Sequence, residues 1–268
     1  MIGIFDSGLS VLRLAAAIRR RLPEHDLLVH VDTAGGPWGL RSARAIRTAA
    51  TAAAGFLAAE GARLLVCASH SAAAVAAEAV ARQVDVPLLT VIDPAAETAL
   101  ALSRGLRIGV LGSPALVASG AWEDALSRRN TGVRVFCRAA PLVLPLVEWG
   151  WLKKPETRMI LKKYLHPLKL RQVDTLVCAG GHFGLLEAVA RRKIGKRVAV
   201  IDSLAVLAEH LPQYLADHPG TGGQLPRGGR LTCTVSDLVH GSGELAARYF
   251  GGRVALQAAA PGGYKRAV

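Results

Sequence analysis

The chain is short of cysteine, aromatics and acidic side chains, and it has no long apolar run. Four cysteines in 268 residues (Cys67, Cys137, Cys178, Cys233) show no CxxC pair or other metal-ligand spacing. That excludes a zinc ribbon or a cysteine-held cluster, fits a reducing compartment, and leads us to expect neither metal nor cofactor. No apolar stretch is both long and clean enough to span a bilayer, so no membrane partner is expected. The first residues read as a strand, with neither basic leader nor cleavage site, and a cytoplasmic location is expected. Half of the residues are apolar and alanine is abundant, enough for one large or two modest domains with real cores. Acids number 20 against 33 Lys and Arg, a net charge of +13. The excess is uneven. From Trp151 to Arg197 there are twelve Lys and Arg (Lys153-Lys154, Arg158, Lys162-Lys163, Lys169, Arg171, Arg191-Arg192-Lys193, Lys196-Arg197) against three acids. This suits either a solvated basic face or a surface for nucleic acid or an acidic partner. No aromatic interleaving in the sequence favours the second.

What is present is a pattern of strand ends. Leu64-Leu65-Val66-Cys67-Ala68-Ser69-His70-Ser71 is an apolar run that stops at small polar residues and opens into a helix. Leu176-Val177-Cys178-Ala179-Gly180-Gly181-His182 repeats it. Ile2-Gly3-Ile4-Phe5-Asp6-Ser7 recurs as Ile108-Gly109-Val110-Leu111-Gly112-Ser113, and Val91-Ile92-Asp93 as Val200-Ile201-Asp202. Three motifs recurring in one order at nearly one spacing argue for two similar α/β halves. Strand ends of this kind are where α/β proteins bind ligands.

Strands alternate with helices along the whole chain, which implies parallel sheets with covered faces. The pattern predicts a strand over Val86–Ile92, one helix over Pro114–Arg129, a helix from Ser203 to Leu211, a Pro/Gly/His-rich loop over Pro212–Arg230 and a poorly ordered tail, Ala258–Val268. The expected fold is two doubly wound parallel-sheet domains related by pseudo-symmetry, with a cleft between them. Residues 1–94 with 204–268 form the first, discontinuous domain, and 95–203 the second.

Beyond this pattern, the chain resembles a glutamate racemase of the cofactor-independent aspartate/glutamate racemase superfamily. The resemblance rests on Ile2–Gly8, Asp32-Thr33-Ala34, Pro37-Trp38-Gly39, Arg41-Ser42, Val91–Pro94, Ile108–Ser113, Ser119–Trp122, Pro141 through Glu148-Trp149-Gly150, Asp174-Thr175-Leu176 and His182. It implies glutamate bound between two domains and inverted at Cα by two cysteines, one on each face, in a homodimer. Two bases are needed because a proton leaves one side and arrives on the other.

Carried over residue by residue, those two cysteine positions are Ser69 and Gly180. Cys67 and Cys178 lie two residues upstream, about 6–7 Å down the strand, and are expected in the core. Asp6, Glu148 and His182 match the family's auxiliary acid–base groups. Ser7, Pro37, Trp38, Gly39, His70, Ser71 and Gly181 fall on ligand-binding positions; Trp38, His70 and Gly181 replace a tyrosine, an asparagine and a threonine. A glycine moves no proton, and a serine hydroxyl is a far weaker acid than a thiol, so loss of racemase activity is expected. Three readings stay open: a racemase-like protein binding a small amino acid, carboxylate or other anion in its cleft; an isomerase, lyase or hydrolase using Ser69 with His70 or His182; or a binding or regulatory protein acting through the basic second domain on nucleic acid or a gyrase-type partner.

Overall fold

The computed structural model describes residues 1–259. The chain begins β1 (Ile2–Asp6), α1 (Leu12–Arg21), β2 (Leu27–Val31), α2 (Ala43–Ala59), β3 (Leu64–Cys67), α3 (His70–Gln83), β4 (Leu88–Thr90) and α4 (Ile92–Leu102). It continues through β5 (Arg107–Gly112), α5 (Pro114–Ala118), α6 (Ala121–Ser127), β6 (Arg134–Ala139), α7 (Val143–Glu148) and α8 (Pro155–Leu170). Next come β7 (Thr175–Cys178), α9 (Gly181–Gly184), α10 (Glu187–Ile194) and β8 (Ala199–Asp202). It ends with α11 (Ser203–Asp217), α12 (Pro219–Gly222), β9 (Leu231–Val235), α13 (Ser242–Phe250) and β10 (Leu256–Ala258).

Two parallel sheets result. The first has the order β10-β9-β2-β1-β3-β4, the second β6-β5-β7-β8. The run β2-β1-β3-β4 therefore recurs as β6-β5-β7-β8, and the repeat seen in sequence is a repeat in space. It holds rung by rung: Phe5 pairs with Cys67 as Leu111 pairs with Cys178. Crossover from the first sheet to the second runs through α4, and the return runs through α11 to β9, which pairs with β2.

Side chains alternate across the sheet, as a pleated strand requires. Ile2 and Ile4 of β1 point into a core that continues through Ala95, Ala99 and Leu207 to Ile108 and Val110 of the second sheet. Phe5 points the other way, into a separate core under α2 and α3 with Trp38, Leu57, Leu65 and Cys67.

Several expected boundaries move. The strand of Val86–Ile92 shrinks to β4, and α4 starts at Ile92 with Pro94 in its first turn, where a missing N–H costs nothing. The helix of Pro114–Arg129 is two helices, broken at Gly120, whose φ of +71° is left-handed. Helix α11 passes through Pro212 to Asp217, and α12 sits inside the expected Pro212–Arg230 loop. Ala258, assigned to the tail, closes β10; residues 260–268 of that tail lie outside the described residues. Among the described residues no helix is long and apolar enough to cross a membrane.

Two histidines are walled into this fold. His30 on β2 is fully buried against Phe56, with Nδ1 3.0 Å from Thr234 Oγ1, and burial pushes its pKa down to about 4. His70 is held at about 3 for the same reason. Both are neutral when folded and titrate near 6.5 when unfolded. The unfolded chain thus binds more protons below that pH, and stability falls as pH drops from about 6.5 toward 4. Asp6, raised to about 6, acts in the opposite direction over the lower part of that window and offsets one histidine. Thermal unfolding between pH 7 and pH 4 is expected to show a falling Tm. His30→Gln should flatten the fall, and an unchanged slope in that variant would remove His30 from the account.

Candidate active site

The C-terminal ends of β1, β3, β5 and β7 converge between the two sheets. Asp6 and Ser7 follow from β1, Ser69, His70 and Ser71 from β3, Ser113 from β5, and Gly180, Gly181 and His182 from β7. Pro37 before a short 3-10 turn, Gly39 within it, and Leu144 of α7 complete the wall. The space they enclose is about 30 Å³, room for about one water.

Contacts across the layers explain the tightness. Ser71 Oγ lies 2.8 Å from Ser113 Oγ. A Cβ on Gly39 would fall 2.3 Å from Ser113 Cβ, and one on Gly181 would fall 2.4 Å from Ser10 Oγ. Each glycine lets backbone approach the opposite layer.

Ser69 is the residue expected at the first cysteine position. Its hydroxyl accepts from Ala72 N at 3.4 Å and so caps α3, and its nearness works slightly against the rise in the Asp6 pKa. Asp6 is 5% exposed, and its Oδ1 accepts from Ser7 N at 2.6 Å. Burial raises its pKa to about 6, against the opposing pull of His182. Gly180, expected at the second cysteine position, has φ 134° and ψ 157°, a backbone region open essentially to glycine alone. Ser203 anchors it: its Oγ donates to Cys178 O at 2.9 Å and accepts from Gly180 N at 3.4 Å.

Cys67 and Cys178 occupy the last rungs of β3 and β7 and are buried in the two cores. Burial pushes both thiols well above their ordinary range, with Asp6 adding to it at Cys67 and Asp202 at Cys178. Neither lines the cleft.

On the Gly180 side stands His182, with Nε2 2.5 Å from Glu148 Oε1. Burial works against its charge, but the Glu148 bond, with help from Asp6, outweighs it and raises the pKa. Glu148 stands behind His182, at the end of α7, and the Tyr249 hydroxyl of α13 donates to Val147 O at 2.7 Å to hold that end in place. The arrangement can hold and move a proton on one face.

Two expected residues take other places. Trp38 does not line the cavity: it is fully buried behind it, donating from Nε1 to Asp32 Oδ2 at 2.7 Å, while its backbone N donates to Ser7 Oγ at 3.0 Å. His70 reaches the wall, but its ring stacks on Trp122 (centroids 6.1 Å, 11° between planes) and has no hydrogen-bond partner among the described residues, so it is not placed as a base for Ser69. Ser113, Ser10, Leu144 and Tyr249 were not singled out as site residues. The repeat held the signal for Ser113, which occupies the position of Ser7 in the second half. Among the described residues no three His, Cys, Asp or Glu side chains converge as metal ligands.

Two parallel α/β layers enclosing a polar cleft at facing strand ends define the class of two-domain amino-acid racemase folds. The family model for Asp/Glu/Hydantoin racemase matches residues 4–211. A glutamate racemase of Geobacter metallireducens is 35% identical over 257 residues, covering 94% of this chain and 93% of its own. The glutamate racemase isoform RacE1 of Bacillus anthracis superposes with a TM-score of 0.89 at 27% identity, over 97% of both chains. The glutamate racemase of Thermus thermophilus, in complex with β-chloro-D-alanine, superposes with a TM-score of 0.83 at 29% identity, over 97% of this chain and 96% of that one. The chain belongs to the Asp/Glu/Hydantoin racemase family, with glutamate racemases as its relatives.

Proposed function

We propose that this protein binds a small amino acid or other small carboxylate in the cleft between its two lobes, residues 1–94 with 204–268 and residues 95–203, and does not racemise it. The observation that carries this is the pair Ser69 and Gly180. Neither face presents a thiol, and the two nearby cysteines are buried in the sheets behind. Inversion at Cα needs a proton acceptor on one face and a donor on the other. The polar wall of Asp6, Ser7, Ser69, Ser71 and His182 supports ligand binding, as does the small amino acid analogue held by the Thermus relative. The first turn of α3, a 14-residue helix, offers amide N–H groups at the site of the wall's serines.

One observation favours a second reading. The His182–Glu148 pair, with Asp6 nearby, places titratable groups on one face of the cleft. It would exchange or remove a Cα proton without inversion.

Binding is tested by thermal unfolding with D- and L-glutamate, D- and L-alanine, and C3 and C4 dicarboxylates. One of them is expected to raise the unfolding midpoint with the logarithm of its concentration, by about 2.7 kcal/mol of added stability at a hundredfold excess over Kd. Ser71→Ala, which removes the hydroxyl facing Ser113, should weaken the effect. No shift with any of the panel contradicts the proposal.

A further inference from the structure

We propose that the face formed by α8, the Trp149–Trp151 segment before it and α10 beside it docks on an anionic phospholipid surface. Two independent features coincide there. The first is charge. Residues 149–171 carry seven cations, Lys153, Lys154, Arg158, Lys162, Lys163, Lys169 and Arg171, and one acid, Glu156. All seven are exposed and none makes an ion pair among the described residues. Helix α10 packs against α8 and adds the exposed Arg192 and Lys193, followed by Lys196 and Arg197. The charge is thus gathered on one face with little internal compensation.

The second feature is apolar exposure at the same place. Trp149 is 68% exposed, Met159 67% and Leu170 70%, with Trp151 partly exposed beside Trp149 at a ring separation of 5.8 Å. Helical spacing orders the surface. Thr157, Leu161, Leu165 and Leu168 bury one side of α8. Met159, Lys163, His166 and Leu170 follow at i, i+4, i+7 and i+11 along the opposite side, and Arg158, Lys162 and Lys169 line one flank. The ridge is about 16 Å long at 1.5 Å per residue.

Charge alone would suit any polyanion, a nucleic-acid backbone included. Protruding Met and Leu side chains find nothing on a phosphate backbone. An anionic bilayer satisfies both features: cations meet the headgroups, and Trp, Met and Leu enter the acyl boundary. That no helix among the described residues is long and apolar enough to cross a membrane does not bear on surface contact, so the proposal revises the sequence expectation that no membrane takes part. It stands independently of what the cleft binds.

The test is flotation of the full-length protein with vesicles of phosphatidylglycerol and phosphatidylcholine, and with phosphatidylcholine alone, with tryptophan emission read in parallel. Binding to the anionic vesicles only, with a blue shift, is expected. K162E/K163E/K169E should lower vesicle affinity by on the order of a hundredfold or more, since each cation contributes roughly fivefold. W149S/W151S should abolish the blue shift and leave the salt-sensitive part of binding. These positions are exposed, and circular dichroism of each variant verifies folding. No flotation, flotation unchanged by charge reversal, or binding to duplex DNA or RNA with no binding to vesicles would overturn the proposal.

Discussion

Cysteines placed at both family positions, as Ser69→Cys with Gly180→Cys, are expected to leave glutamate unracemised and to destabilise the protein by roughly 2–4 kcal/mol. Side-chain chemistry alone would suggest the opposite, because the missing thiols would be back. Backbone geometry argues against it. At φ 134° and ψ 157° Gly180 lies where an L side chain is strained, although the space around a Cβ there is ordinary, with Phe183 at 3.4 Å. Relaxing that strain would move Gly181, whose backbone sits against Ser10 and cannot take the family's threonine. Ser69→Cys also weakens the cap on α3. Each missing base costs about 10²–10⁴ in rate, so the natural chain is expected to fall short of an ordinary racemase by about 10⁴ or more. Turnover gained by the double variant, measured by circular dichroism of L-glutamate over hours, would show that the thiols alone were wanting.

Trp38→Ala is expected to be the most damaging single change among the site's neighbours, at about 3–5 kcal/mol. The side chain is fully buried in the core under α2 and α3, tilted against Phe5 at 6.5 Å, and its indole N–H donates to Asp32. Truncation opens a cavity directly behind the Ser7 loop, because Trp38 N holds Ser7 Oγ. Trp38→Phe keeps much of the volume and should cost less, mainly the bond to Asp32. Denaturant unfolding separates the two variants. Equal, small losses for both would mean that Trp38 is a replaceable part of the wall.

Residue pattern made the architecture legible because the repeated strand motifs are buried and carry their own periodicity. The rung pairing of Phe5 with Cys67 and of Leu111 with Cys178 is the same repeat seen in space. Placing Cys67 and Cys178 in the core followed from strand geometry applied to the cleft positions that the resemblance implied at Ser69 and Gly180. What stayed illegible depended on directions that one-dimensional pattern does not carry. Trp38 sits on a 3-10 turn whose rotation sends the indole inward. His70 is next to Ser69 in sequence, yet at the start of α3 the two side chains diverge, and His70 finds Trp122. Glu148 came from family resemblance, since nothing local to Pro141–Gly150 reveals that α7 ends behind His182. The break at Gly120 and the narrowness of the cleft arise from local backbone sign and contacts between layers.

The measurement that tests the central claim most directly is Cα proton exchange in D₂O, followed by NMR with L-glutamate and with whichever panel member the thermal shift selects. The account predicts no inversion of either compound. Slow exchange with retained configuration remains consistent with it, and would assign a single working face to His182 and Glu148. Exchange with inversion at ordinary enzyme turnover would contradict it, because a second proton donor would then have to reach the face that Gly180 leaves bare.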